Sequence, residues 1–333
     1  MIPQEKTAAV TRALQEAFGV TAYEDIRPMT EGNSTTLKFR IVVNGAAYLL
    51  RIILRTDDPT RHFANARAAA EVEVAPCVRY ASVEDKIVIT DFVEGVPFPA
   101  AEAVTGIPAV LRRLHTLPPF ADVPNRINTS CMYLLNGGEG VDAFMAKFRA
   151  LNIVPEGECD AVFARFREVA AAYLRRDSDW VSSHNDLKPE NLLFDGERAW
   201  LVDWEAAFRN DRYQDLAVIA TWFVTNDEEE QAYLREYFGR PADEHERSRY
   251  FLMRQVFHLF HAMAYFTVTA ARGPIELHSE LPSFVDFMRR NWTGEVSLQE
   301  NAMRVMYAQL HWREFVRNMR LPRFDEALRA VRA

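Results

Sequence analysis

The chain has 333 residues, 49% of them hydrophobic and 26% charged, and a formal net charge of −8 at pH 7. That is enough apolar material for two lobes without disulfide staples, and the acidic balance argues against nucleic-acid binding as the main task. Three cysteines without metal-ligand spacing fit buried thiols in a reducing cytoplasm, no stretch nears the roughly 18 uninterrupted apolar residues of a membrane span, and the charged, amphipathic start is unlike a signal peptide.

Residues 3–18 carry helical periodicity, closed by Gly19. A small polar turn, "TEGNSTT", precedes apolar alternation from Leu37 to Val43. Asn44–Gly45 is a hairpin signal, and "AAYLLRIIL" is the returning strand. "RHFANARAAAEVEVAP" reads as a helix ended before Pro76. "CVRYASVEDKIVITDFVEG" reads as two strands about a turn at Glu84–Asp85. Residues 1–92 therefore form a small sheet with one internal helix. From 93 to 333 helical periods dominate: "GIPAVLRRLHTLP", then 157–176, 213–224, 227–238, 245–270, 281–291 and 297–318. One strand pair interrupts them, "NLLF" with "AWLVDW", turned at Asp195-Gly196-Glu197-Arg198.

The stretch "HNDLKPENLLF", His184 to Phe194, is too polar for a core strand, and Pro189 rules out a smooth helix interior. It reads as a loop feeding a strand. Asp186 follows His184 by two positions, Asn191 follows Asp186 by five, and Asp203 ends the strand "AWLV". A hairpin returns Asn191 and Asp203 to the same end of two paired strands, with Asp186 on the loop leading in. An amide oxygen and a carboxylate at one edge form a hard-oxygen site that suits Mg²⁺ when phosphates and water complete the coordination. A second carboxylate, outside the metal, can accept a hydroxyl proton. Together these residues point to phosphoryl transfer to an alcohol, where positioning and charge neutralisation carry most of the catalysis.

"HNDLKPEN" with "LVDW" resembles the choline/ethanolamine kinase and aminoglycoside phosphotransferase superfamily, and "TEGNSTTLKFRI", "YLLRI", "ITDFVEG", "DWEAAFRNDRYQDLA" and "YLREYFG" have counterparts there. The resemblance covers about residues 25–240. It implies an α+β, bilobal protein-kinase-like fold, with a small antiparallel-sheet N-lobe carrying one helix (1–92) and a larger, mainly helical C-lobe (93–333). It implies ATP and Mg²⁺ as cofactors. By the same resemblance Asp186 is the catalytic base, and Asn191 and Asp203 hold the metal. Arg51 contacts the α/β-phosphates, with Asn33 and Ser34 in the loop over them. Backbone groups of Asp91 and Val93 meet the adenine, and Lys188 touches the transferred phosphate. His184 and Asp215 are structural supports. The acceptor is a small-molecule alcohol, cationic by preference, with choline or ethanolamine first and an aminoglycoside, another amino alcohol or a sugar as alternatives. A cytoplasmic location with no nucleic-acid or membrane partner follows.

Several positions leave alternatives open. Glu205 serves a second metal or a cationic substrate, or is a solvent-facing acid. Trp222 and Tyr265 are substrate candidates by cation–π attraction, although a stripe such as Phe257, His261 and Tyr265 at helical spacing is more often core. Kinase-like folds pair the third-strand cation with a helix glutamate. That position falls near His62 here, with Asp57 and Asp58 too early and Glu71 and Glu73 too late. An aromatic commonly follows "DFE" in choline kinases; here it is Ala206. A protein kinase is the weaker reading, since no Ala-Pro-Glu string follows Asp203 and no glycine-rich triplet stands early. A kinase-like binding module without turnover is a further alternative, against which the intact Asp186, Asn191 and Asp203 set argues.

Overall fold

The computed structural model describes residues 2–29, 36–54, 56, 58–121 and 141–332. The turn that carries Asn33 and Ser34 lies outside the described residues. Contacts divide the chain into two compact units: Met1–Phe98 with Glu190–Ala207, and Pro99–Pro189 with Phe208–Ala333. Against the expected division at 92/93, the first unit also takes residues 93–98 and the hairpin after Pro189.

The first unit holds an antiparallel sheet of five strands: β1 (Asp25–Met29), β2 (Thr36–Val43), β3 (Ala46–Ile53), β4 (Val78–Ser82) and β5 (Ile87–Asp91). Their order is β1-β2-β3-β5-β4. Asn44 and Gly45, at φ 50° and 76°, close the β2–β3 hairpin with Val43 opposite Ala46. Positive φ at both central residues is what a two-residue hairpin turn demands, and Asn-Gly supplies it with least strain. Pro28 is tolerated because β1 is an edge strand.

Side chains alternate across a strand, and β3 uses both faces. Leu50 and Ile52 pack with Ile41, Ile87 and Ile89 against Val10, Ala13 and Leu14 of helix α1 (Thr7–Phe18). Leu49, Arg51 and Ile53 point the other way, toward helix α2 (Thr60–Glu71), where Ile53 packs with Phe63 and Val88. The same period that builds the core thus sends Arg51 to the opposite face.

The second unit is mainly helical. Described helices are α3 (Ala100–Leu114), α4 (Val141–Arg149), α5 (Glu156–Ala172), α6 (Arg212–Phe223), α7 (Asp227–Phe238), α8 (Glu244–Ala270), α9 (Phe284–Trp292), α10 (Asn301–Asn318) and α11 (Pro322–Arg332). The expected helices are present within a few residues, and α4 and α11 add two that the periodicity did not single out. A short strand pair, β6 (Trp180–Ser183) with β9 (Phe208–Asp211), crosses the unit. Among the described residues no helix is long and apolar enough to cross a membrane.

Beside β9 lies a buried charge cluster. The guanidinium of Arg249, fully buried, donates to Asp211 Oδ2 at 2.8 Å and to the Leu174 carbonyl at 2.9 Å, and meets Asp179 at 3.1 Å. Burial pushes the Asp211 carboxyl up, against the pull of Arg249. Breaking a buried pair from one side leaves an uncompensated charge, so Arg249→Leu is expected to cost about 3–5 kcal/mol of stability. Urea unfolding checks this. The Arg249→Leu, Asp211→Asn double variant should recover part of the loss, because it removes the stranded charge as well.

Candidate active site

In the second unit, the loop that begins at His184 leaves the end of β6 and is fastened from beneath by one carboxylate. Asp215, in the first turn of α6, accepts from His184 N at 2.8 Å and from Asn185 N at 2.9 Å. His115, which closes α3, sits 3.2 Å from Asp215 through Nε2 and 2.7 Å from the Tyr237 hydroxyl through Nδ1. Burial alone would raise the Asp215 carboxyl. The His115 hydrogen bond, the charges of His115 and His184 and the His184 N–H outweigh it, and the carboxyl lies below its ordinary value. It is therefore a fixed anion that holds two backbone donors. Asn185 takes a left-handed conformation, φ 66°, that asparagine adopts more easily than most residues. Its side chain accepts from Asn210 Nδ2 at 2.6 Å and from Ser183 Oγ at 3.1 Å.

The loop so held presents Asp186. Its carboxylate is 3.1 Å from Lys188 Nζ, and both side chains are substantially exposed. The Asp186 N–H points at Nδ1 of the fully buried His184 at 3.4 Å. His184 and Asp215 thus sit beneath the loop, and Asp186 and Lys188 sit on its open side.

In the first unit, the hairpin of β7 (Leu192–Phe194) and β8 (Ala199–Leu201) is in register with Leu192 opposite Leu201. Asp195 sets the turn by accepting from Glu197 N and Arg198 N, each at 2.9 Å, and from Trp200 Nε1 at 2.7 Å. Val202 N donates to Asn191 O at 3.0 Å, so Asn191 and Asp203 emerge at the same strand end. Asp203 has a left-handed backbone, φ 70°. Such a conformation in a non-glycine residue is a strain that persists where the surroundings enforce it. Its Oδ1 lies 3.3 Å from Arg51 Nη2, and the same Nη2 lies 3.5 Å from Glu205 Oε1. Arg51 Nε is buried with no hydrogen-bond partner among the described residues. A small cavity of about 60 Å³ opens here, lined by Arg51, His62, Phe63, Val88, Thr90 and Asp203 among others.

These residues fit the expected ligands. A buried guanidinium N–H without an acceptor suits a phosphate oxygen. Among the described residues no cluster of three or more His, Cys, Asp or Glu side chains is arranged to hold a metal. An amide and a carboxylate at one strand end suit Mg²⁺ only with substrate phosphates and water as the remaining ligands.

Other expected residues are placed as follows. Asp91 ends β5, its carboxylate held by Arg79 Nε at 2.6 Å and Nη2 at 2.9 Å. Its N–H is donated to the Cys77 carbonyl at 2.9 Å, so an adenine cannot draw on that donor. Val93 follows in the connecting segment. Trp222 is a core residue, its Nε1 donating to Asn291 Oδ1 at 3.3 Å. Tyr265 is half-buried, stacked on His261 and tilted against Tyr307, with ring centroids 5.8 and 4.6 Å apart.

Sequence reasoning missed Arg61 and Asn65. The Asn65 amide donates to the Ala207 carbonyl at 2.9 Å, and the Arg61 guanidinium donates to the carbonyls of Glu205, at 2.8 Å, and Ala207. Their spacing of four on α2 was the available signal, since it places both on one helix face.

A family model described as a phosphotransferase enzyme family matches residues 25–251, a span that contains the sheet, the loop and the hairpin. The chain belongs to this phosphotransferase enzyme family. Solved structures share the protein-kinase-like fold. A choline/ethanolamine kinase family protein from Mesorhizobium loti aligns over 98% of this phosphotransferase and 99% of its own chain, at 22% identity and TM-score 0.65. Spectinomycin phosphotransferase APH(9)-Ia, in complex with ADP and spectinomycin, aligns over 98% of each chain at 13% identity and TM-score 0.50. Protein LicA of Haemophilus influenzae is 39% identical over 59 residues, which is 18% of this chain. That match spans 20% of the length of the curated relative.

Proposed function

We propose that this phosphotransferase is an ATP- and Mg²⁺-dependent small-molecule kinase of the cytoplasm that phosphorylates a hydroxyl group, with choline or ethanolamine as the first-choice acceptor. The observation that carries the reading is the hairpin that delivers Asn191 and Asp203 to one strand end, with Arg51 against Asp203 and its Nε unpartnered among the described residues. Asn191 and Asp203 hold the metal, which neutralises charge on the β- and γ-phosphates when bound. Arg51 contacts the nucleotide phosphates, with Asn33 and Ser34 over them. Asp186 orients the acceptor hydroxyl and takes its proton. Lys188, 3.1 Å from Asp186, offers a positive charge to the transferred phosphate. His184 and Asp215 keep the Asp186 loop in one conformation. The exposed acid Asp186 favours a cationic acceptor on electrostatic grounds.

Ala206, buried directly after Glu205, favours a second reading for the acceptor alone. A small residue where choline kinases commonly carry an aromatic removes one wall of a quaternary-ammonium box, and an aminoglycoside or another amino alcohol is the alternative.

Purified protein with Mg-ATP, screened against choline, ethanolamine, kanamycin, spectinomycin and simple sugars for coupled ADP formation, tests both. Acceleration by choline or ethanolamine supports the first reading. Acceleration by an aminoglycoside alone replaces it with the second, and nucleotide binding without product from any acceptor removes both. Asp203→Asn keeps a residue that tolerates φ 70° but loses the charge. It is expected to weaken Mg-nucleotide binding by at least about tenfold, read by titration with a fluorescent ATP analogue.

A further inference from the structure

The third-strand cation of a kinase-like fold needs a counter-ion, and among the described residues Arg51 pairs with no acid of helix α2. Where that acid is expected, α2 carries His62, a buried residue. Two nearby acids are engaged elsewhere. Asp58 accepts from Thr60 N at 2.9 Å and Thr60 Oγ1 at 2.6 Å, and Glu73 pairs with Arg198 at 3.5 Å. Arg51 instead meets Asp203 and Glu205, both on the short turn that follows the hairpin.

That turn is gripped by α2. Trp204–Ala206 is a single 3-10 turn entered through the strained Asp203. Asn65 and Arg61 hold the carbonyls that follow, Ala207 by both and Glu205 by Arg61. Two donors one helical turn apart, on two carbonyls two residues apart, leave the segment between them little freedom to rotate. The directions of the Asp203 and Glu205 carboxylates are fixed as a consequence.

We propose that Glu205 is the counter-ion that holds Arg51 in place, and that α2 positions Glu205 and Asp203 through Arg61 and Asn65 rather than through an acid of its own. This rests on the reading that Arg51 meets phosphate and Asp203 meets the metal. The two carboxylates then divide the work. When Asp203 turns to the metal, Arg51 keeps Glu205 and does not become a part-buried cation without an anion. Without Glu205, Arg51 leans wholly on Asp203 and competes with the metal for it. Glu205, Arg61 and Asn65 are positioning residues in this scheme.

Free Mg²⁺ is titrated against wild type and variants at a saturating concentration of a fluorescent, non-hydrolysable ATP analogue. Glu205→Gln is expected to raise the Mg²⁺ half-saturation point about tenfold, but by less than about twofold in an Arg51→Met background, because contacts that act through one another are not additive. Glu205→Asp, which restores the charge, should recover part of the loss. Asn65→Ala should move the curve in the same direction and add little to Glu205→Gln. Equal shifts from Glu205→Gln in both backgrounds would make Glu205 a direct metal ligand and overturn the proposal. A full additional shift from Asn65→Ala on top of Glu205→Gln would overturn the part assigned to α2. Wild-type protein that binds no nucleotide at any Mg²⁺ concentration would remove the kinase reading itself, and this proposal with it. Melting curves report whether each variant folds.

Discussion

Asp186→Ala is expected to lower kcat by about 10²–10⁴-fold while the dissociation constant of Mg-ATP stays within about twofold of wild type. The expectation follows from where the loop puts its charges. Asp186 is on the open side, next to Lys188, whereas the buried contacts that shape the loop belong to Asp215 and His184. Removing Asp186 takes away the group proposed to handle the acceptor proton and leaves the loop's supports intact. Single-turnover kinetics with the preferred acceptor, together with a nucleotide titration, separate the two quantities. A variant that turns over near the wild-type rate would remove Asp186 from the chemistry. A variant that loses nucleotide affinity in proportion to rate would make it a binding residue.

The second large effect is a loss of stability in mild acid. His258 and His311 lie buried between α8 and α10 with His261, half-buried, beside them, and desolvation pushes all three well below the usual imidazole value, His261 to about 3. His258 Nδ1 and His311 Nδ1 are 3.0 Å apart, so one donates and the other accepts, and His261 Nδ1 lies 2.8 Å from the Tyr307 hydroxyl. A proton added to the first pair would set two donors face to face. The unfolded chain takes up protons as pH falls through about 6.5, and the native state does not until far lower. Stability therefore rises with pH across this window and is lost as pH falls, with a slope for each histidine that reaches roughly 1.4 kcal/mol per pH unit only below about pH 6. Between pH 7.5 and 5.5 that amounts to about 4 kcal/mol for these residues together. Asp211 and Glu314, both raised by burial, act in the opposite sense, but toward the carboxylate range at the acid end. Denaturant unfolding across this range checks the slope. A midpoint that does not move between pH 7.5 and 5.5 would mean that the histidines are not held neutral in the folded chain.

Much of the first unit was legible because its signals are local. Asn44–Gly45 demands a hairpin, and the alternation from Leu37 to Val43 demands a half-buried strand. The return of Asn191 and Asp203 to one strand end follows from a short hairpin and needs no distant information. Other features were not legible, for the opposite reason. The partners of Arg51 lie about 150 positions along the chain, and nothing at Arg51 itself points to them. Trp180–Ser183 and Phe208–Asp211 are strands of four residues each, too short for a periodic signal. Arg61 and Asn65 look like ordinary polar residues on a helix until the turn after Asp203 is laid against them. The stripe of Phe257, His261 and Tyr265 was visible as a stripe. Its packing against Tyr307 and His311 came only from α10, some 40 residues later.

The proposed function requires Asn191, Asp203 and Asp186 to serve one magnesium-bound nucleotide. A crystal structure with Mg²⁺, a non-hydrolysable ATP analogue and an acceptor alcohol tests it most directly. The account predicts the metal on the side-chain oxygens of Asn191 and Asp203, Arg51 on a phosphate while still paired with Glu205, and Asp186 facing the acceptor hydroxyl. A nucleotide lodged elsewhere, or a metal that touches neither Asn191 nor Asp203, would contradict it.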